Sequence, residues 1–325
     1  MKETINISVL GQQGAGKTSC LIAMLDHFKN DFFENLGLQF SIDPETGRSI
    51  AEVKSRLISS LEKGTVEYTD GITPTTAVAN YSVRVSGKQK GLSRTLNLNF
   101  VDYPGSLLEA STTEASEIKQ KLAESKVLII PVDSALLMET DDDQSSETIL
   151  KVFKDIYSDL NETRLVIFAP VKSEKYFEAG ENNTSNIAYN LLIKRVQEKY
   201  EGVLAFLSSR AIKRKVSVII TPIQTLGSCK LMYFAENDDD TKTPVFVVTQ
   251  RGVYAPKHSE RPLIYLLSFL LRDQYEDQRK GISGFFGKLN GSLDNLMQYS
   301  EELSLIYSDY NGGVKIVQNS AITNF

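Results

Sequence analysis

Gly11-Gln12-Gln13-Gly14-Ala15-Gly16-Lys17-Thr18 satisfies every fixed position of the pattern G-x-x-x-x-G-K-S/T. Residues of these types in this order can cradle a phosphate chain. The glycines let the main chain bend close to phosphate oxygens, while the loop amides and the helix start at Thr18 and Ser19 present positive partial charge. Lys17 can reach the β- and γ-phosphates, and the Thr18 hydroxyl can ligate magnesium. Val101-Asp102-Tyr103-Pro104-Gly105 adds a carboxylate that can hold magnesium through water, with a main-chain amide at Gly105 for a γ-phosphate.

Such groups work only if regular elements bring them to one place. Residues 4–10 (Ile5, Ile7, Val9, Leu10) read as a buried strand, and residues 18–28 (Leu21, Ile22, Leu25, Phe28) as a helix, so the glycine loop joins strand to helix. A strand over 38–42 and a helix over 49–61, closed by Gly64, come next. Residues 75–85 and 95–101 alternate around turn residues 87–91, which predicts an antiparallel hairpin running into Asp102. Strands over 127–132, 165–169 and 216–221 alternate with helices over 116–123, 147–160 and 186–200. This succession predicts a doubly wound, mainly parallel α/β sheet with one antiparallel hairpin strand, completed by a strand over 244–249 and a helix over 262–271. Insertions and a C-terminal helical extension elaborate it, giving units 1–277 and 278–325. The acidic stretches 139–143 and 236–240 read as loop tips.

The chain has 325 residues, 41% hydrophobic and 24% charged, as expected of an ordinary globular protein. Its 36 Lys and Arg against 41 Asp and Glu give a net charge of −5, so no global field favours nucleic acid and no such partner is expected. Cys20 and Cys229 are far apart in sequence and, with only His27 and His258 besides, show no zinc-cluster spacing. No apolar run reaches the roughly 18 residues needed to span a bilayer or resembles a leader, so the expectation is a cytoplasmic protein without a transmembrane segment.

The order of phosphate loop, threonine-bearing segment, antiparallel hairpin and D-x-x-G resembles the translation-factor and Ras-related class of P-loop GTPases. That resemblance implies GTP or GDP with Mg2+ as cofactors. It makes Gly71-Ile72-Thr73-Pro74-Thr75-Thr76 the first switch, with Thr75 as second hydroxyl ligand to magnesium and Thr76 beside it. The class reads guanine with N-K-x-D; here the strand 165–169 leads into Ala169-Pro170-Val171-Lys172-Ser173-Glu174. Lys172 would lay its stem along the purine, and Glu174 would accept from guanine N1 and N2. Val171 stands in place of the asparagine. Thr221 and Gln224, in Thr221-Pro222-Ile223-Gln224-Thr225, occupy the place of the loop behind the base.

After D-x-x-G the class carries a glutamine or histidine that orients the attacking water; this chain has Ser106, which implies slow intrinsic hydrolysis. The loop is also similar to the dynamin type, in which a glutamine at the position of Gln13 acts and dimerisation completes catalysis, though Gly14 replaces the hydroxyl residue common there. Lys17, Gln13 and Thr75 are therefore the catalytic candidates, with water positioned by Gln13 or by a group in trans. A further resemblance, over residues 4–275, is to double-GTPase types of bacterial conflict and signalling operons, and implies a nucleotide switch or assembly factor beside an effector. An ATP-dependent phosphotransferase and a scaffold without turnover are the alternatives.

Ile282, Phe285, Phe286, Leu289, Leu293, Leu296 and Met297 recur at helical spacing over 281–303. That stripe needs a cover, and the chain's own core, a partner groove and a membrane surface all remain open. Partners are accordingly expected through residues 73–76 and 102–108, through this stripe, or in a nucleotide-dependent homodimer. Residues 314–318 predict an edge strand.

Overall fold

The computed structural model describes residues 4–29, 38–66, 77–87, 95–108, 113–140, 144–177, 184–236, 242–280, 298–303 and 313–323. Its centre is five parallel strands: β1 (Thr4–Val9), β5 (Leu96–Asp102), β6 (Val127–Asp133), β7 (Arg164–Val171) and β8 (Val216–Ile220). Antiparallel strands extend both sides, namely β4 (Ala79–Gly87) and β2 (Leu38–Ile42) beyond β5, and β11 (Lys315–Gln318) beyond β8. The order is β11-β8-β7-β6-β1-β5-β4-β2. The doubly wound sheet, its β4–β5 hairpin and the C-terminal edge strand are thus as expected.

Alternate side chains of each central strand serve two different cores. Val127, Ile129, Leu165 and Ile167 face one cluster with α1 (Lys17–Asp26), α2 (Pro44–Leu61) and α8 (Glu260–Lys280). Leu128, Ile130, Val166 and Phe168 face the other, with α3 (Thr113–Glu124), α5 (Gln144–Ile156), α6 (Thr184–Lys199) and α7 (Glu201–Leu207). A strand buried on both faces must be apolar at every position, which is why β6 and β7 read as continuous apolar runs. The short α4 (Ser134–Glu139) and α7 carry too few turns to show periodicity and were not foreseen. α2 starts earlier than its apolar residues suggest, because the Asp43 carboxylate caps the amides of Glu45 (3.0 Å) and Thr46 (3.1 Å) ahead of Pro44 at the helix start.

One expectation is corrected. The strand expected over 244–249 is β10 (Lys242–Val248), and it lies not in the main sheet but in a second, antiparallel one with order β3-β10-β9, between β3 (Thr65–Val66) and the unforeseen β9 (Cys229–Glu236). The edge beside β8 is taken by β11. Pro244, which has no amide to donate, fits β10 because β3 pairs only with Phe246 and Val247.

Near the C-terminus, residues 298–303 are helical and dock on α8: the Ser268 hydroxyl donates to the Ser300 carbonyl (3.0 Å), Arg272 Nε donates to Ser300 Oγ (2.9 Å), and Leu303 is buried. The rest of the apolar stripe, Ile282 to Met297, lies outside the described residues. No helix among the described residues is long and apolar enough to cross a membrane.

Candidate nucleotide-binding site

Every candidate group that the structure describes lies at or after the C-terminal end of a central strand. Register pairs Val9 with Asp102 and Asp133 with Val171, so the loops after β5, β1, β6 and β7 open at one edge of the sheet, where α/β folds place their ligands. Leu10 extends β1 by donating its amide to the Ile129 carbonyl (2.8 Å), which holds Gly11 at that edge.

Gly14 (φ 81°) and Gly16 (φ 86°) take left-handed conformations that L side chains rarely adopt. The Gly16 carbonyl accepts the first helical bond of α1, from Cys20 (2.8 Å), and no side chain caps the helix. The first-turn amides, including those of Thr18 and Ser19, are thus directed out of the helix end, and no acidic side chain lies in that turn. An anion fits this end. Lys17 is buried and curls back, donating from Nζ to the carbonyls of Gly11 (3.0 Å) and Gln12 (2.7 Å). Burial holds its pKa below the ordinary lysine value, and the negative charge of Asp102 opposes that shift.

Thr18 Oγ1 donates to Asp102 Oδ2 at 2.6 Å, and Asp102 is fully buried. A hydroxyl and a carboxylate in contact beside a lysine are hard oxygen donors of the kind magnesium takes, so the residues present fit that ion. Gly105 lies against the loop itself: a Cβ there would stand 2.3 Å from the Gln13 nitrogen and 2.6 Å from the Gln12 carbonyl carbon. The side chains of Gln13 and Ser106 are exposed. Gln12, Gly14 and Ala15 are half-buried around the same loop. Thr75, with the whole segment 71–76, lies outside the described residues.

On the opposite flank, Lys172 adopts a positive φ (55°) that sends its side chain across to the phosphate loop, where Nζ donates to the Gly14 carbonyl (2.9 Å). The same ammonium forms an ion pair with Asp133 Oδ2. Asp133 Oδ1 caps α4 through the amides of Ala135 (3.0 Å) and Leu136 (3.1 Å), so one carboxylate fixes both a helix and the lysine. Sequence reasoning missed Asp133, although an aspartate ending an apolar strand just before Ser134-Ala135-Leu136-Leu137 is a helix-start signal.

The remaining base-site candidates are placed differently from Lys172. Glu174 is buried, its Oε1 accepting the amides of Leu226 (2.9 Å) and Gly227 (3.1 Å). Thr221 is fully buried, its amide donating to the Phe168 carbonyl (2.9 Å) and its hydroxyl without a hydrogen-bond partner among the described residues. Gln224 exchanges main-chain bonds with Lys257 (2.9 and 3.0 Å) and is nearly buried. The structure therefore brings together the phosphate loop, Asp102, Gly105 and Lys172, and commits Glu174 to the main chain.

No curated protein matches the chain. Among solved structures, the signal recognition particle receptor SRb-GTP/SRX complex from Chaetomium thermophilum is similar at 12% identity and a TM-score of 0.38, over 70% of this chain and 93% of that one. The LeoA bacterial dynamin GTPase from ETEC is similar at 12% identity and a TM-score of 0.38, over 94% of this chain but only 38% of its own length. The model of one sequence family, Double-GTPase 2, matches residues 5–213, which include the phosphate loop, Asp102 to Gly105 and Lys172. With more than half of its length so matched, the chain belongs to the Double-GTPase 2 family.

Proposed function

We propose that this protein binds GTP and GDP with Mg2+ and hydrolyses GTP slowly, acting as a nucleotide-controlled switch or assembly factor for a protein partner. The observation that carries this reading is the contact of Thr18 Oγ1 with the buried Asp102 carboxylate, beside Lys17 and a loop in which Gly14 and Gly16 take left-handed conformations. Lys17 and the α1 amides would hold the β- and γ-phosphates, Thr18 and Asp102 would hold magnesium, and Lys172 would flank the base. When bound, the ion supplies charge neutralisation at the bridging phosphate oxygens. Lys17 adds to this by placing its ammonium where negative charge develops as the β–γ bond breaks.

Gly105 supports the switch part of the reading. Its main chain rests on Gln12 and Gln13, so a group arriving above the loop must displace it or be met by its amide. The segments 73–76 and 102–108 would carry that difference to an effector of the signalling or defence type that the family resemblance implies, or to a second copy. Ser106 offers no glutamine or histidine to the attacking water, so that role falls to Gln13 or to a group in trans. The test is titration of GTP, GDP and ATP with magnesium against the native protein and Lys17→Ala, followed by phosphate release at rising protein concentration. Magnesium-dependent GTP binding lost in Lys17→Ala, with a specific rate that climbs with concentration, supports the switch. Preference for ATP selects the phosphotransferase alternative, and GTP binding without release at any concentration selects the scaffold.

A further inference from the structure

Glu174 follows Lys172 at the spacing where a guanine-reading carboxylate is expected, yet its carboxylate serves the protein's own main chain. Oε1 accepts the amides of both Leu226 (2.9 Å) and Gly227 (3.1 Å). Pairing with the N1–H and N2 amino edge of guanine uses both oxygens of a carboxylate, and the two acceptor positions of Oε1 are already taken by these main-chain donors. Burial raises the Glu174 pKa while the same amides oppose the shift.

The loop so held cannot easily swing aside to release the carboxylate. Ser173 Oγ donates to the Ile223 carbonyl (2.7 Å), Gln224 pairs with Lys257, and the Ala255 amide donates to the Leu226 carbonyl (3.0 Å). At Gly227 (φ 74°) a Cβ would fall 1.6 Å from the Ala255 carbonyl oxygen, so the two segments are in main-chain contact. Freeing Glu174 would strip the half-buried Leu226 and Gly227 amides of their acceptor.

Resting on the proposed nucleotide site, we infer that Glu174 is a positioning residue that latches Leu226 and Gly227 behind the purine, and that its carboxylate does not read the N1–H and N2 amino edge of guanine. Base choice then depends on the shape of the latched loop beside Lys172. The inference departs from the role the N-K-x-D resemblance assigns to this position.

The two roles predict opposite results for Glu174→Gln, tested with GTP, ATP and xanthosine triphosphate. A carboxylate that reads guanine directly would, as a carboxamide, reject GTP and accept xanthine, whose ring presents a carbonyl in place of the amino group. A latch keeps an acceptor oxygen for Leu226 and Gly227. The expected result is that Glu174→Ala weakens GTP and ATP alike by about tenfold or more, while Glu174→Gln recovers most of that loss and gains nothing for xanthosine triphosphate. Amide hydrogen exchange on the nucleotide-free protein gives a readout independent of ligand: Leu226 and Gly227 lose protection in Glu174→Ala and keep it in Glu174→Gln. A fall in GTP affinity of about a hundredfold in Glu174→Gln with a matching gain for xanthosine triphosphate overturns the inference, as does unchanged protection in Glu174→Ala. If the native protein binds no nucleoside triphosphate, the nucleotide reading fails, and the exchange data still decide whether Glu174 is a latch.

Discussion

Gly105 faces the main chain of Gln13 so closely that a methyl group on it would stand 2.3 Å from the Gln13 nitrogen. Two segments that emerge from neighbouring parallel strands are thereby in direct contact, with no side chain between them. Gly105→Ala must push the 105–108 turn off the phosphate loop, because the atoms it meets are backbone and cannot rotate away. The expected outcome is a fall of about 1–3 kcal/mol in stability and loss of any GTP-versus-GDP difference in limited proteolysis of that turn. An unchanged nucleotide-dependent cleavage pattern would show that the contact has no part in switching.

Thr18→Val removes the hydroxyl that donates to the fully buried Asp102 carboxylate. Without ligands, urea denaturation should show destabilisation of about 1–3 kcal/mol, the consequence of withdrawing a hydrogen bond from a buried charge. In nucleotide titrations the same variant should lose the dependence of affinity on magnesium. Affinity that still rises with magnesium would place the ion elsewhere.

Asp133 separates capping from ion pairing. Asp133→Asn keeps an oxygen for the amides of Ala135 and Leu136, whereas Asp133→Ala leaves them uncapped and should cost about 0.5–2 kcal/mol more stability. Both variants remove the negative charge from Lys172 and should speed nucleotide release, measured with a fluorescent analogue, by about tenfold or less. Equal stability of the two variants would show that the α4 cap is unimportant.

Stability should fall in mild acid. The His258 pKa is pushed from 6.5 down to about 4, chiefly by burial and then by the positive charge of Arg261, with Glu260 opposing and Lys257 adding. Between those values the unfolded chain binds a proton that the folded chain does not, so stability is level above pH 6.5 and declines as the pH drops through that window toward 4. The slope from this one group is at most about 1.4 kcal/mol per pH unit. His27, the only other histidine, is shifted in the same direction by burial. His258→Gln should flatten part of the decline and a double substitution more of it, as read from melting temperatures between pH 4 and 7; parallel curves for all three proteins would refute the assignment.

Much of the fold was legible because its signals are local. The β6 and β7 runs are apolar at nearly every position since both faces are covered, and α1 shows its start through the glycine loop that precedes it. β9 was missed because Lys230, Met232, Tyr233 and Glu236 are partly or wholly exposed around a register shift, which leaves no clean alternation. The 244–249 strand was found but given to the wrong sheet. Pattern gives a segment its conformation, but its pairing partner depends on which edge is vacant when the chain packs.

The glycine loop, Asp102 and Gly105 were legible in the sequence alone, because a loop able to wrap phosphate needs glycine, and a carboxylate able to hold magnesium needs a set place along the chain. Those requirements act over a few residues and leave a readable pattern. The pairing of Asp133 with Lys172, and the commitment of Glu174 to the amides of Leu226 and Gly227, link residues tens of positions apart. Only tertiary structure decided them, since a buried carboxylate takes whichever donors the packing brings to it, and no local pattern records which those will be.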